Sequence, residues 1–453
     1  MAIISHAENL IMRIKSTTER FWLTCATITL ALVASVAASS VAQAQSSTFE
    51  QPPIDYLNAL VNDPVAQLVD RITAGTTKLD FDDKQGYLLS VLKELAIPVS
   101  SQTLVFSKTS LQLQRISPRR PRALYFNDDV YVGFCQNGDV LEFAATDPMQ
   151  GAIFYTLDQS KADSPEFVRD RGSCLTCHAS SRTQNVPGYL VRSVFTDGSG
   201  YPILGSGTFN TDHTSPLEER WGGWYVTGTH GKTKHMGNVL FNKDDIRGNR
   251  ELSDEGSNIT SLDGHVSTTP YLSPHSDLVA LMVLEHQTQM HNAIAAANYE
   301  TRQALHQSFQ MNELLERGEG YVSESAQRRI DAVTENVVRH LLMSGEIQLS
   351  EPVAGTSGFA EEFAARGKRD SKGRSLRELD LQDRVFKYRC SYLIDSPAFD
   401  TLPDPVRTRI YDRLVDVLVD GETSQDFQHL TSHDREVVTD ILKELKPEFA
   451  ARL

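Results

Sequence analysis

The chain has 453 residues, of which 40% are hydrophobic and 23% charged, and its net charge is −15. That composition is ordinary for a globular protein with enough apolar material for a sizeable core. The acidic balance disfavours nucleic acid and anionic membrane surfaces as partners, because both carry charge of the same sign.

Residues 1–44 have the layout of an export signal. Arg13, Lys15 and Arg20 precede an apolar run from Phe21 to about Ala38, and Ala42-Gln43-Ala44 forms a small-residue cleavage pattern. An uncleaved N-terminal anchor is the alternative. Met12 is a possible start, and Cys25 lacks lipobox-like neighbours. Cleavage removes those three cations with Glu8 and Glu19, leaving 41 Lys and Arg against 57 Asp and Glu, a net charge of −16. The expectation is export to the periplasm or another extracytoplasmic compartment, with no stable membrane span after cleavage.

Residues 45–65 read as an irregular start to the mature chain. Helical spacing follows over 64–74 and 85–95. From about 103 the period changes to two. Arg122–Phe126 and Val130–Phe134 flank Asn127-Asp128-Asp129, a hairpin signal, and Gln136-Asn-Gly-Asp139 makes the next turn. Further strands are predicted at 140–145, 152–157, 189–195, 223–229 and 236–241. Residues 243–270 are polar and turn-rich. A helix starts near Ser276 and runs beyond Arg302; others are predicted at 323–344, 404–420 and 431–445. The connector at 354–375 has room for a short helix over 360–365. There is no internal repeat. The expected class is α+β: a strand-rich region over 45–270, then a helical region over 271–453.

Four cysteines remain after the signal: Cys135, Cys174, Cys177 and Cys390. An oxidising compartment would let Cys135 and Cys390 pair, and two separate buried thiols are the alternative. The other two belong to Cys174-Leu-Thr-Cys177-His178, a C-x-x-C-H arrangement expected only ~0.002 times by chance in this composition. Two thiols three positions apart can add to the two vinyl groups on one haem edge. The next residue then lies beside the iron, with a neutral imidazole as proximal ligand. A redox dithiol would want a strand–helix setting of βαβ type, and zinc would want a second Cys/His pair. Neither signal is present.

The motif resembles that of the c-type cytochromes. Much of the mature chain also resembles a family of exported bacterial proteins carrying one C-x-x-C-H. The resemblance lies in Leu104–Ser110, Arg122–Val132, Glu219-Arg-Trp-Gly-Gly-Trp-Tyr-Val-Thr-Gly-Thr-His-Gly231 and Cys390–Ile394. It implies one covalent haem c and export; it assigns no reaction. The strand-rich flanks depart from the small all-helical cytochrome pattern.

The residue on the far side of the iron separates an electron carrier from an enzyme. Met236 is the first candidate for sixth ligand, then His230, then His235, all in the glycine- and aromatic-rich stretch 221–238. The alternative for that stretch is a hairpin with core aromatics. A second candidate surface is the stripe Met282, His286 and Met290, with Glu285 and Gln289 beside it; the alternative is a core stripe. His213 reads as a turn residue. Arg182, Arg192 and Arg220 are candidate contacts for the haem propionates. The expected function is electron transfer with a redox partner that sequence does not identify. A haem c oxidoreductase with an open distal site, peroxidase-like or acting on a small molecule, is the alternative; His230, His235 or His286 would serve it as acid or base. A sensor or interaction module is the third reading.

Overall fold

The computed structural model describes residues 49–242, 252, 254, 256–318 and 320–453. The expected signal segment lies outside the described residues. The chain divides into a unit ending at Tyr56 and a unit from Leu57 to Leu453. In the first, a turn places the Phe49 and Tyr56 rings edge to face, 5.9 Å between centroids.

The second unit is α+β. Its strands are β1 (Thr103–Val105), β2 (Arg122–Phe126), β3 (Val130–Phe134), β4 (Val140–Asp147), β5 (Gly151–Asp158), β6 (Phe167–Arg169), β7 (Arg192–Val194), β8 (Thr208–Asn210) and β9 (Trp224–Tyr225). Its helices are α1 (Pro64–Thr73), α2 (Leu88–Glu94), α3 (Leu175–His178), α4 (Leu278–Leu314), α5 (Glu324–Leu341), α6 (Phe359–Ala365), α7 (Pro397–Asp400), α8 (Asp404–Leu418), α9 (Ser432–Leu445) and α10 (Pro447–Ala450).

Strands β1 to β6 run as an antiparallel meander, and β9 returns to pair with β1, giving the order β6-β5-β4-β3-β2-β1-β9. Strands β7 and β8 form a separate ribbon. Alternation gives the sheet two unlike faces. Leu141, Phe143, Ile153, Tyr155 and Leu157 point to a fully buried face. Tyr155 donates to Asp63 at 2.5 Å, and the same Asp63 caps α1 through the Val65 and Ala66 N–H groups. The opposite face carries Arg122, Leu124, Glu142 and Ala144, which are only half-buried.

Helix α4 is buried at every residue from Leu278 to Ala295. It packs on β5, α5, α6 and α7, and α5 packs on α8. One core cluster runs through both halves, from Val105 to Phe449. Among the described residues no helix is long and apolar enough to cross a membrane.

Several expectations need correction. The strand expected at 236–241 does not form. Asn238 is left-handed, with φ 64, and its side chain clasps both Val226 N–H and Val226 carbonyl, which replaces ladder bonds. The strand at 223–229 shrinks to Trp224–Tyr225 because Gly223 turns into it at φ 84. The strand at 189–195 keeps only Arg192–Val194. Cys135 and Cys390 are separate buried thiols, so the disulfide alternative falls away.

Candidate functional site

The C-x-x-C-H segment forms one helical turn. Cys177 N–H and His178 N–H both donate to the Cys174 carbonyl, at 3.2 and 3.0 Å, so both thiols and the imidazole leave a single turn. The Asp170 carboxylate anchors its entry by accepting from Gly172 and Cys174 N–H. Past His178 the chain folds back. Ser180 and Thr183 cap a short turn, and Gln184 and Asn185 take left-handed conformations.

That reversal brings the Gly188 carbonyl to 2.9 Å from His178 Nδ1. A carbonyl only accepts, so Nδ1 carries the proton and Nε2 holds a lone pair. Among the described residues Nε2 has no hydrogen-bond partner. Metal-bound histidines are held this way, with the second ring nitrogen donating to a carbonyl. Burial, with help from Arg122, holds the imidazole below its ordinary pKa and therefore neutral. Phe154 of β5 packs on the ring at 4.9 Å.

Gly188 is required by crowding. A Cβ there would lie 2.2 Å from Asn292 Oδ1. Asn292 of α4 grips the next residue, accepting from Tyr189 N–H and donating to the Tyr189 carbonyl. The central helix thus sets where the His178 partner sits.

The half-buried sheet face lies alongside. Glu142 and Arg122 form an ion pair there, and both charges act on His178; Glu142 also acts on Cys174. Between that pair and Phe154 the face presents Leu124, Gly133 and Ala144. Arg122 Nε is buried without a partner. On the other side, Arg192 lies within electrostatic reach of Arg182 and Cys177, and its Nε is also without a partner. An apolar face with two arginines beside it, each keeping an Nε without a partner among the described residues, fits a macrocycle bearing carboxylates.

The remaining sequence candidates lie elsewhere. Met236 joins a small cluster with Ile203 and Phe241, its sulfur facing the Ser193 hydroxyl at 3.6 Å. His230 donates from Nδ1 to the Thr233 carbonyl, and its Nε2 accepts from Asn258 N–H and His235. His235 Nδ1 accepts from Gly237 N–H. Local hydrogen bonding therefore occupies both histidines of the predicted stretch. Arg220 is buried, bonded to Glu285 at 2.8 Å and to the Ser215 carbonyl, so its guanidinium is already committed.

Helix α4 carries a buried polar tract, Glu285-His-Gln-Thr-Gln-Met-His-Asn292. Its Met282, His286 and Met290 are all buried. His286 meets Ser391 at 2.8 Å, and the His213 ring stands 5.3 Å from it. Burial pushes Glu285 up to about 7 and His213 down to about 4, the latter with help from His340. His213 sits in a turn held by Asp212 and Ser215.

Sequence reasoning did not single out Asp170, Gly188, Asn292, Glu142, Phe154 or Arg122 for the site. Only Pro187-Gly188 carries a local signal, that of a turn. The others reach the motif through strand register and helix docking.

Burial and the nearby Asp170 push the Cys174 thiol up to about 12. A dithiol redox centre needs the reverse, a thiol shifted down toward neutrality. Among the described residues no group of three or more His, Cys, Asp or Glu is arranged to hold a metal ion by itself. No protein-family model, curated protein or solved structure matches the chain.

Proposed function

We propose that this chain is an exported monohaem c-type cytochrome acting in electron transfer with a redox partner. The observation that carries the reading is His178: Nδ1 donates to Gly188, while Nε2 keeps a lone pair free at the end of a turn bearing two thiols. Bound haem would supply an iron that cycles between ferrous and ferric states. Cys174 and Cys177 would hold it covalently and His178 would be the axial donor. Arg192, Arg182 and Arg122 would be the cations that meet its propionates. The small side chains of the half-buried sheet face would exclude water from one side.

The test is expression of the full chain with a c-type maturation system, followed by a pyridine haemochrome spectrum and intact mass. The expected result is one covalent haem. It should vanish in Cys174→Ser/Cys177→Ser and persist with an altered absorption spectrum in His178→Ala. A wild-type chain without covalent haem overturns the reading.

A further inference from the structure

A cavity of about 190 Å³ opens between the β2–β3 hairpin and the segment that follows α6. It does not involve the haem motif, and the inference from it is independent of the haem reading. That volume is below the range of drug-sized ligand pockets and equals roughly six water molecules. The occupant must be a small molecule.

Its walls carry both signs of charge. The hairpin turn supplies Asp128 and Asp129; the other wall supplies Arg366, Lys368 and Arg377. Two of these are paired with each other: Arg377 bonds Asp128 and lies 4.4 Å over the Tyr392 ring. Their remaining atoms, Arg377 Nη1 and Asp128 Oδ1, are buried with no hydrogen-bond partner. Lys368 makes only a long contact to Asp395, at 3.6 Å.

The other two charges stand at the rim. Among the described residues the Asp129 carboxylate has no ion pair within 4 Å, Arg377 being the cation that acts on it, and Arg366 is exposed, 5.9 Å from the Phe363 ring. Burial and the neighbouring Asp128 raise the Asp129 carboxyl to about 6. Buried polar atoms at the wall of a cavity are costly unless something answers them, and Arg377 Nη1 and Asp128 Oδ1 are two such atoms of opposite charge. Those two atoms belong to one ion pair, so the answers needed, one anion and one cation, lie close together. Leu376, Leu393 and Pro397 add an apolar margin.

We propose that this cavity binds a small zwitterion of the α-amino-acid class. The ammonium group faces Asp129 and Asp128, the carboxylate faces Arg366 and Arg377, and a short side chain lies against the apolar margin. A simple anion leaves Asp128 Oδ1 without a partner, and a simple amine leaves Arg377 Nη1 without one.

The experiment is isothermal titration of the full purified chain at pH 7.5 with L-alanine, L-valine, acetate and ethylamine. At least one amino acid should bind about tenfold or more tightly than acetate and ethylamine. Arg366→Gln, at an exposed position, and Asp129→Asn should each weaken that binding about tenfold, with unchanged thermal melts showing that both variants fold. Affinity should fall as pH is lowered through 6, where Asp129 loses its charge. No heat from either amino acid, equal binding of acetate or ethylamine, or wild-type affinity in both folded variants overturns the proposal.

Discussion

The two faces of the seven-stranded sheet are built from the same strands and do different work. On one, Leu141, Phe143 and Leu157 are sealed, and the acid that reaches this face, Asp63, is bonded to Tyr155 and to the α1 terminus. On the other, Leu124, Glu142 and Ala144 stay half-buried beside a turn that presents two thiols and an imidazole. A face that serves only stability satisfies its polar groups and excludes water. The face beside the motif keeps unpaired guanidinium nitrogen and small side chains, which make sense where another group is to lie.

The largest expected effect of a single substitution tests the sealed face. Phe143→Ala should cost about 3–5 kcal/mol in urea unfolding, the range for a buried aromatic. Leu124→Ala, on the half-open face, should cost about 1–2 kcal/mol. Equal losses would erase the distinction.

Acid acts on several buried rings together. His213 and His291 are held down to about 4 by burial, and His235 to about 3 by burial and His230. The unfolded chain takes up protons below about 6.5 while these native rings do not. Stability should therefore fall as pH drops from about 6.5 toward 3. Every tenfold difference in proton affinity between the native and unfolded ring is worth about 1.4 kcal/mol. Glu285 acts in the opposite sense, since its raised pKa favours the folded state at low pH. Glu285→Gln should therefore steepen the acid loss, as measured by melts across pH.

Gly188→Ala should cost about 1–3 kcal/mol through overpacking against Asn292. In an Asn292→Ala background most of that penalty should disappear, and a double-mutant cycle reads the coupling directly. Full additivity would mean that α4 does not position the His178 partner.

The last test is at the Arg122–Glu142 pair, where Arg122→Gln should destabilise by about 1–3 kcal/mol, because it leaves a largely buried carboxylate without its cation. The same change should raise the titration midpoint of the His178 ring, because Arg122 is one of the charges holding it down. NMR titration of the apoprotein measures it.

Local chemistry is readable in the sequence, and long-range assembly is not. Strands β2 to β5 are legible because period two and turn residues occur within each hairpin. Helices α8 and α9 are legible from Pro403, Pro405 and the helical spacing. The motif is legible because its five residues are contiguous. Arg122 and Glu142 become neighbours of His178 through sheet register. Asn292 does so through docking of a helix more than a hundred positions away. The stretch 221–238 misleads because its glycines and aromatics suit a hairpin, whereas Asn238 and the His230–His235 pair tie it into irregular structure.

The hold of Asn292 on Tyr189 bears on the order of assembly. The bonds from Asp170 to the turn and from His178 to its carbonyl partner lie within residues 170–188. They can form as soon as that segment is free to fold. The wall behind Gly188 arrives only with α4, about a hundred residues later. On the proposed reading, a chain crossing a membrane from its N-terminus would expose a shaped but unwalled turn throughout that interval, giving haem attachment a period of access that docking of the central helix then ends.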